Sequence, residues 1–221
     1  MSRAKKVFKL VAKSRPGLVL CKDVLVVAPT DQILRGFRIE TTTEKNMVYL
    51  WRVIMPLYQP RTSVYLDYSD RISNGDRVYI DPKDYQQSAR AVESLIAPHI
   101  SALKKLSHVR DFFRHVEWMI GNGCSRFRFD LALTYHRMGD VARATSILES
   151  LPQEIEQYYA AFAPAIRKYM TSGPNPLEDA MRQAARMIAA DPSGFSRLLD
   201  QWVQQNVERH GLQATWQRAV A

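Results

Sequence analysis

The side chains best able to do chemistry are the histidines, the two cysteines, the paired acids and the basic residues, and each group tests a different reaction. His108, Asp111 and His115 fall at i, i+3 and i+7, on one face of a helix. A protein metal centre needs at least three good ligands around an open or closed tetrahedral shell. This trio lacks the His-Glu-x-x-His pattern, and Glu117 lies off its face, so it reads as a solvated helix face and no metal ligand is assigned. Cys21 sits in an apolar run, where a thiol is inert, while Cys124 follows Gly121-Asn122-Gly123 at a helix start that could lower its pKa. Neither cysteine nor any serine lies in a Gly-x-Ser-x-Gly turn. The Gly-Asn-Gly-Cys-Ser-Arg segment lacks the lysine and the length of a phosphate loop. Asp67 with Asp70, and Asp76 with Asp81, stand at strand ends and turns, where carboxylates serve turns and caps. No catalytic residue and no cofactor is assigned; enzymatic activity stays open, with a non-enzymatic role preferred.

Charge is the stronger signal. The 221 residues carry 31 Lys and Arg against 22 Asp and Glu, a net charge of +9 that favours acidic partners. Seven of those nine surplus charges lie in residues 1–78, and Arg3, Lys5, Lys6, Lys9, Lys13 and Arg15 precede the first acid. This arm reads either as a solvated tail or first amphipathic segment, or as a phosphate-contacting arm whose affinity falls with salt. Val7–Ala12 is too short, and too interrupted by Lys9, for a signal-peptide core. No apolar run approaches a membrane span. Two cysteines are too few for a disulfide scaffold. The expectation is a cytosolic protein with no membrane partner.

The elements that must position these groups change character along the chain. With 46% hydrophobic residues there is enough apolar surface for a sizeable core. Between Gly17 and Asp81, short runs rich in Val, Ile, Leu, Tyr and Trp alternate with turn residues. Strands are predicted at Leu18–Ala28, Ile33–Thr41, Met47–Tyr58, Ser63–Tyr68 and Arg77–Asp81, the last two joined through a Ser73-Asn74-Gly75-Asp76 hairpin signal. Val48–Pro60 reads as a central strand in which Pro56 marks a bulge or the end of pairing. Its single charge, Arg52, reads as a strand side chain paired with Asp67 or as an anion contact in a groove. Tyr49, Trp51, Tyr58, Tyr65 and Tyr68, interleaved with Arg35, Arg38, Arg52, Arg61 and Arg71, read as core and cross-strand packing or as a stacking surface for single-stranded nucleic acid.

After Asp81 the period becomes helical, with Asp81 as N-cap and Pro82 at the first position, a kink or break at Pro98, and a second helix from Val109 to Ile120. The boundary is placed near residue 82: a basic antiparallel sheet region over 1–81 and a helical region over 82–221 packed on it. Leu131 and Ala132, Tyr135, Gly139-Asp140, Ala144, Leu148 and Leu151 occupy the small, large and turn positions of a helical hairpin. In this spacing residues 131–152 resemble a tetratricopeptide repeat, a 34-residue helical hairpin. A fainter copy follows, with Tyr169 and Gly173 in register and Ala180, Ala184, Met187 and Pro192 resuming it after a two-residue insertion. Arg128 replaces the early aromatic of the pattern, and Pro152 arrives early. A connecting helix is expected from Glu154 to Met170, then a helix between the Asn175-Pro176 and Asp191-Pro192 signals, and a capping helix from Phe195 to Val207.

The expected fold is α+β, an N-terminal antiparallel sheet followed by helical hairpins. The resemblance implies protein or peptide recognition on a helical face, and an acidic protein or peptide is the partner the charge suits. Arg128, His136, Arg143 and Arg167 are the polar neighbours of the repeat-like helices that would contact it. The alternative is a nucleic-acid binder using Lys5, Lys6, Lys9, Arg35, Arg38 and Arg52. The oligomeric state is not legible in the sequence.

Overall fold

The computed structural model describes residues 2–72, 77–120, 125–164 and 175–216. It has the α+β architecture expected, an N-terminal antiparallel sheet followed by helices. The Asn74-Gly75 turn, Cys124, Arg167, Tyr169 and Gly173 lie outside the described residues. The chain divides into two compact units. One takes in the described residues of Met1–Leu57, Thr62–Phe112 and Val207–Ala221; the other takes in Tyr58–Arg61 and Phe113–Asn206. The sequence turns from strand to helix near residue 82, whereas the first unit keeps the long helix that follows.

The first unit opens with helix α1 (Arg3–Ser14), so the basic arm is an amphipathic helix and not a tail. Ser2 caps it, its Oγ accepting from the Lys5 N–H at 3.3 Å. Val7, Phe8 and Val11 form its buried face. The predicted strand Leu18–Ala28 is two strands, β1 (Leu18–Cys21) and β2 (Val24–Val27), folded back through Lys22-Asp23 with Lys22 at φ 52°. β3 (Ile33–Thr41) pairs with β2 and along its full length with β4 (Met47–Pro56). The strand ends at Pro56, one residue before Leu57, whose N–H still donates to the Gln32 carbonyl at 2.8 Å. Gly36 permits the β2–β3 approach: a Cβ there would lie 2.4 Å from the Leu25 carbonyl oxygen.

On the far side of β4 the order departs from expectation. Ser63–Tyr68 is a loop; the short strands β5 (Asp70–Arg71) and β6 (Val78–Tyr79) each pair with β4 instead. Tyr68 turns its ring edge-on to Phe112 at 5.1 Å, so packing claims the side chains that were expected to alternate in a strand. Helix α2 (Tyr85–Lys105) is capped by Asp84, whose carboxylate accepts from Gln87 N–H at 2.9 Å; Asp81 instead accepts from Lys83 N–H. It runs through Pro98 without a break, because Ala89, Val92, Ile96 and Leu103 keep one buried face across the proline. That packing outweighs the lost backbone hydrogen bond. The last segment of this unit returns to the sheet, where Thr30 N–H donates to the Thr215 carbonyl at 2.7 Å beside a parallel bridge from Thr30 to Trp216.

The division between units falls within α3 (Val109–Ile120) and within the final helix. In the second unit α4 (Ser125–Arg137) and α5 (Val141–Ala160) form the hairpin expected. Gly139, at φ 87°, ends α4, and the Asp140 N–H donates back to the Tyr135 carbonyl at 2.9 Å. The helix expected over Glu154–Met170 does not start at Glu154, and its residues 165–170 lie outside the described residues: α5 passes through Pro152 to Ala160, with Leu148, Leu151 and Ile155 buried on one continuous face. α6 (Pro176–Ala190) packs on α5 and starts at its Asn175 cap; α7 (Pro192–His210) follows through Asp191, which accepts from Gly194 N–H at 2.8 Å. Among the described residues no helix is long and apolar enough to cross a membrane.

Candidate functional site

Helix α1 concentrates the charge. At about 100° per residue, Lys5, Lys6, Lys9 and Lys13 fall within an arc of about 100°, opposite Val7, Phe8 and Val11. All four are exposed. Lys6 stands 4.9 Å above the Tyr85 ring, and none of the four makes an ion pair among the described residues. The flanking arginines are occupied: Arg3 donates to the Asn46 side chain, and Arg15 pairs with Glu93. The buried stripe fixes the helix, and the helix holds the four ammonium groups as a strip about 12 Å long.

At its N-terminal end this strip opens into a groove of about 550 Å³ between α1, the β1–β2 turn and the β3–β4 hairpin. Phe8, Ile39, Val48 and Ile80 form its apolar wall, all at most 8% exposed. Five cations line it, Arg3, Lys5, Lys22, Arg38 and Lys45, against the three carboxylates Asp23, Glu40 and Glu44. Most are engaged with one another or with the fold. Arg38 pairs with Asp23 at 3.0 Å, Glu44 with Arg77, Lys22 donates to the Arg209 carbonyl, and Glu40 accepts from the Trp51 indole at 2.8 Å.

The remaining residues expected to bind nucleic acid are dispersed. Arg35 is 2% exposed and donates to the carbonyls of Leu103, Lys104 and Pro29, so it closes the C-terminus of α2 and offers nothing to solvent. Burial pushes its pKa down and the nearby Asp31 opposes this. Arg52 pairs with Asp70 at 2.7 Å, the strand-pair reading with a different acid from the one expected. Tyr58, Tyr68 and Arg61 are buried. Tyr49 and Trp51 share an open face with an arginine, and Arg71 already covers both, 3.8 Å and 4.9 Å from the ring centres.

The residues expected on the helical face are also used internally. Arg128 ties α4 to α5 through Glu154 at 2.6 Å and Ser150 at 3.3 Å. His136 is buried, its Nε2 2.8 Å from Ser196 Oγ and its ring edge-on to Phe195. Burial, then the Arg137 charge, lowers its pKa. Arg143 is exposed, lies 5.4 Å from the Tyr135 ring centre and pairs with Asp140 at 3.2 Å. Arg167 lies outside the described residues.

Sequence reasoning missed a buried polar cluster in the second unit. Asp130, 1% exposed, pairs with Arg61 at 3.3 Å; Tyr58 Oη lies 2.9 Å from Thr134 Oγ1; and Asn206 donates to the Gln59 carbonyl at 2.6 Å. The short Tyr58–Arg61 segment is thereby held against α4 and α7. Burial raises the Tyr58 pKa, keeping the phenol protonated. An enclosed cluster of this kind, a buried ion pair beside a protonated phenol, anchors chain rather than meeting a substrate. Nothing in a linear sequence marks residues 58 and 134 as partners.

Among the described residues no three His, Cys, Asp or Glu side chains gather as metal ligands. The Cys21 thiol is unbridged and buried, and burial pushes its pKa up. No family model matches the chain, and comparison with curated proteins and with solved structures gives no match either.

Proposed function

We propose that this protein is a non-enzymatic interaction module for an acidic protein or peptide, with the exposed lysine face of α1 as its contact surface. One observation carries the reading: Lys5, Lys6, Lys9 and Lys13 stand together on a rigid, fold-anchored helix with no carboxylate partner among the described residues. Unsatisfied like charges on one face repel one another, and an anionic partner relieves that while steering association. Among the described residues of the expected set, the helical face is left with Arg143 as its one exposed basic residue, so the contact moves from the hairpins to the N-terminal helix. The α4–α5 hairpin, with its tetratricopeptide-like spacing, serves in this reading as scaffold. The unbridged Cys21 suits a reducing, cytosolic setting. Nucleic acid is the less favoured partner, because the arginines and aromatics that would stack bases are buried or already covered.

Fluorescence anisotropy on the full chain tests this with three labelled probes: a Glu/Asp-rich peptide, a single-stranded oligonucleotide and a duplex. The acidic peptide is expected to bind at low salt, and Lys9→Glu with Lys13→Glu is expected to weaken it at least ~10-fold while far-UV circular dichroism stays unchanged. Unaltered binding by the double variant, or tighter binding of either nucleic acid, overturns the proposal.

A further inference from the structure

We infer that the groove at the N-terminal end of α1 selects a bulky apolar side chain, so that the recognised partner segment is an acidic peptide carrying an apolar anchor at one end. This rests on the reading of α1 as an acidic-partner surface and specifies its ligand. Lys5 belongs to both features: it heads the lysine strip and lines the groove. A segment neutralising the strip therefore reaches the groove without a gap. The strip spans about 12 Å, which an extended peptide covers in about four residues. Four consecutive acidic positions would lie over Lys5, Lys9 and Lys13, and the next residue would enter the groove.

The groove's chemistry decides what that residue is. Its wall of Phe8, Ile39, Val48 and Ile80 is apolar, and Met47, half-buried, completes it. A charged group laid against that wall would exchange water for hydrocarbon, while the cations that could pair with it stand at the rim. An aliphatic or aromatic side chain gains from the same exchange. The rim disfavours the opposite peptide charge: of its eight charged residues, Arg3, Lys22 and Arg38 are engaged with Asn46, a backbone carbonyl and Asp23, Glu44 with Arg77, and Glu40 with the Trp51 indole. Lys5 and Lys45 remain without a side-chain partner among the described residues, one on either bank. They suit carboxylates on both sides of the anchor. The volume of about 550 Å³ is ample for one large side chain and its flanking backbone.

Two labelled peptides test the inference on the full chain: a run of Glu and Asp ending in Phe-Glu, and the same peptide with Gly for Phe. The Phe peptide is expected to bind ~10-fold or more tightly, and Met47→Glu, which puts a carboxylate in the groove, is expected to abolish that preference. The peptide comparison needs no protein variant, so it stands even if Met47→Glu fails to fold. Equal affinity for the two peptides overturns the groove inference and leaves the acidic-partner reading intact. Binding of neither peptide at low salt overturns both.

Discussion

At the scale of single residues, the chain spends its most conspicuous polar groups on holding itself together. Arg35 is an example: a lone arginine in an apolar strand invites a ligand reading, yet it supplies donors to carbonyls at the end of α2, where its charge also complements the helix dipole. Arg35→Met is therefore expected to cost about 2–4 kcal/mol in urea unfolding, since buried carbonyls lose their donor; Arg35→Lys should restore only part, because one ammonium cannot fork to both sides. His136 and His210 make a second case. Burial is the first cause lowering both pKa values, with Arg137 adding at His136, and Arg209 and Lys22 adding at His210 while Asp23 opposes. A histidine whose folded pKa lies below its unfolded value leaves the unfolded state binding more protons, so stability rises with pH in that interval. Stability is expected to be full above the ordinary histidine value near pH 6.5 and to fall as acid carries the solution down toward the depressed values. Thermal melts from pH 7.5 to 5 check this, and His136→Gln with His210→Gln should flatten the slope. Neither role was readable in the sequence, because both depend on residues many tens of positions away.

Elements were more legible where the signal is local. The Asn175 and Asp191 caps, the Gly139 turn and the span of α3 all depend on a few adjacent residues, and all stand where the sequence places them. Pro98 and Pro152 misled for the complementary reason: a proline's cost is local, but the buried faces of α2 and α5 that override it run along the whole helix. The Ser63–Tyr68 run has strand composition, yet Tyr68 packs against Phe112, a partner invisible from composition. The candidate site was half legible. The lysines of α1 were read as one set, but the groove that Lys5 enters is assembled from four separate stretches of chain. Two glycines separate the steric from the conformational demands of these elements. Gly36→Ala should disrupt β2–β3 pairing and cost at least ~2 kcal/mol, since the new Cβ meets backbone. Gly139→Ala, with nothing within 4 Å of its Cβ, should cost only the left-handed penalty of about 1–2 kcal/mol. Denaturant midpoints for the pair would rank them, and equal midpoints would contradict the assignment.

For the whole molecule, the informative fact is that its first unit is built from three stretches of sequence and its second from two. The Thr30–Thr215 hydrogen bond and the buried Val207 and Leu212 make residues 207–216 part of the sheet unit. Removing them is expected to lower stability by at least about 3 kcal/mol, the burial of two aliphatic side chains, read as a lower melting temperature. A protein melting unchanged without them would refute that membership. The same arrangement sets a timetable for biosynthesis. A ribosome that has finished α2 has not yet made residues 207–216, and at about 5–20 residues per second roughly 5–20 s pass before they emerge. For that interval the nascent sheet lacks its last segment while α4 to α6 are already being made, so the lysine helix is displayed before the unit that bears it can close.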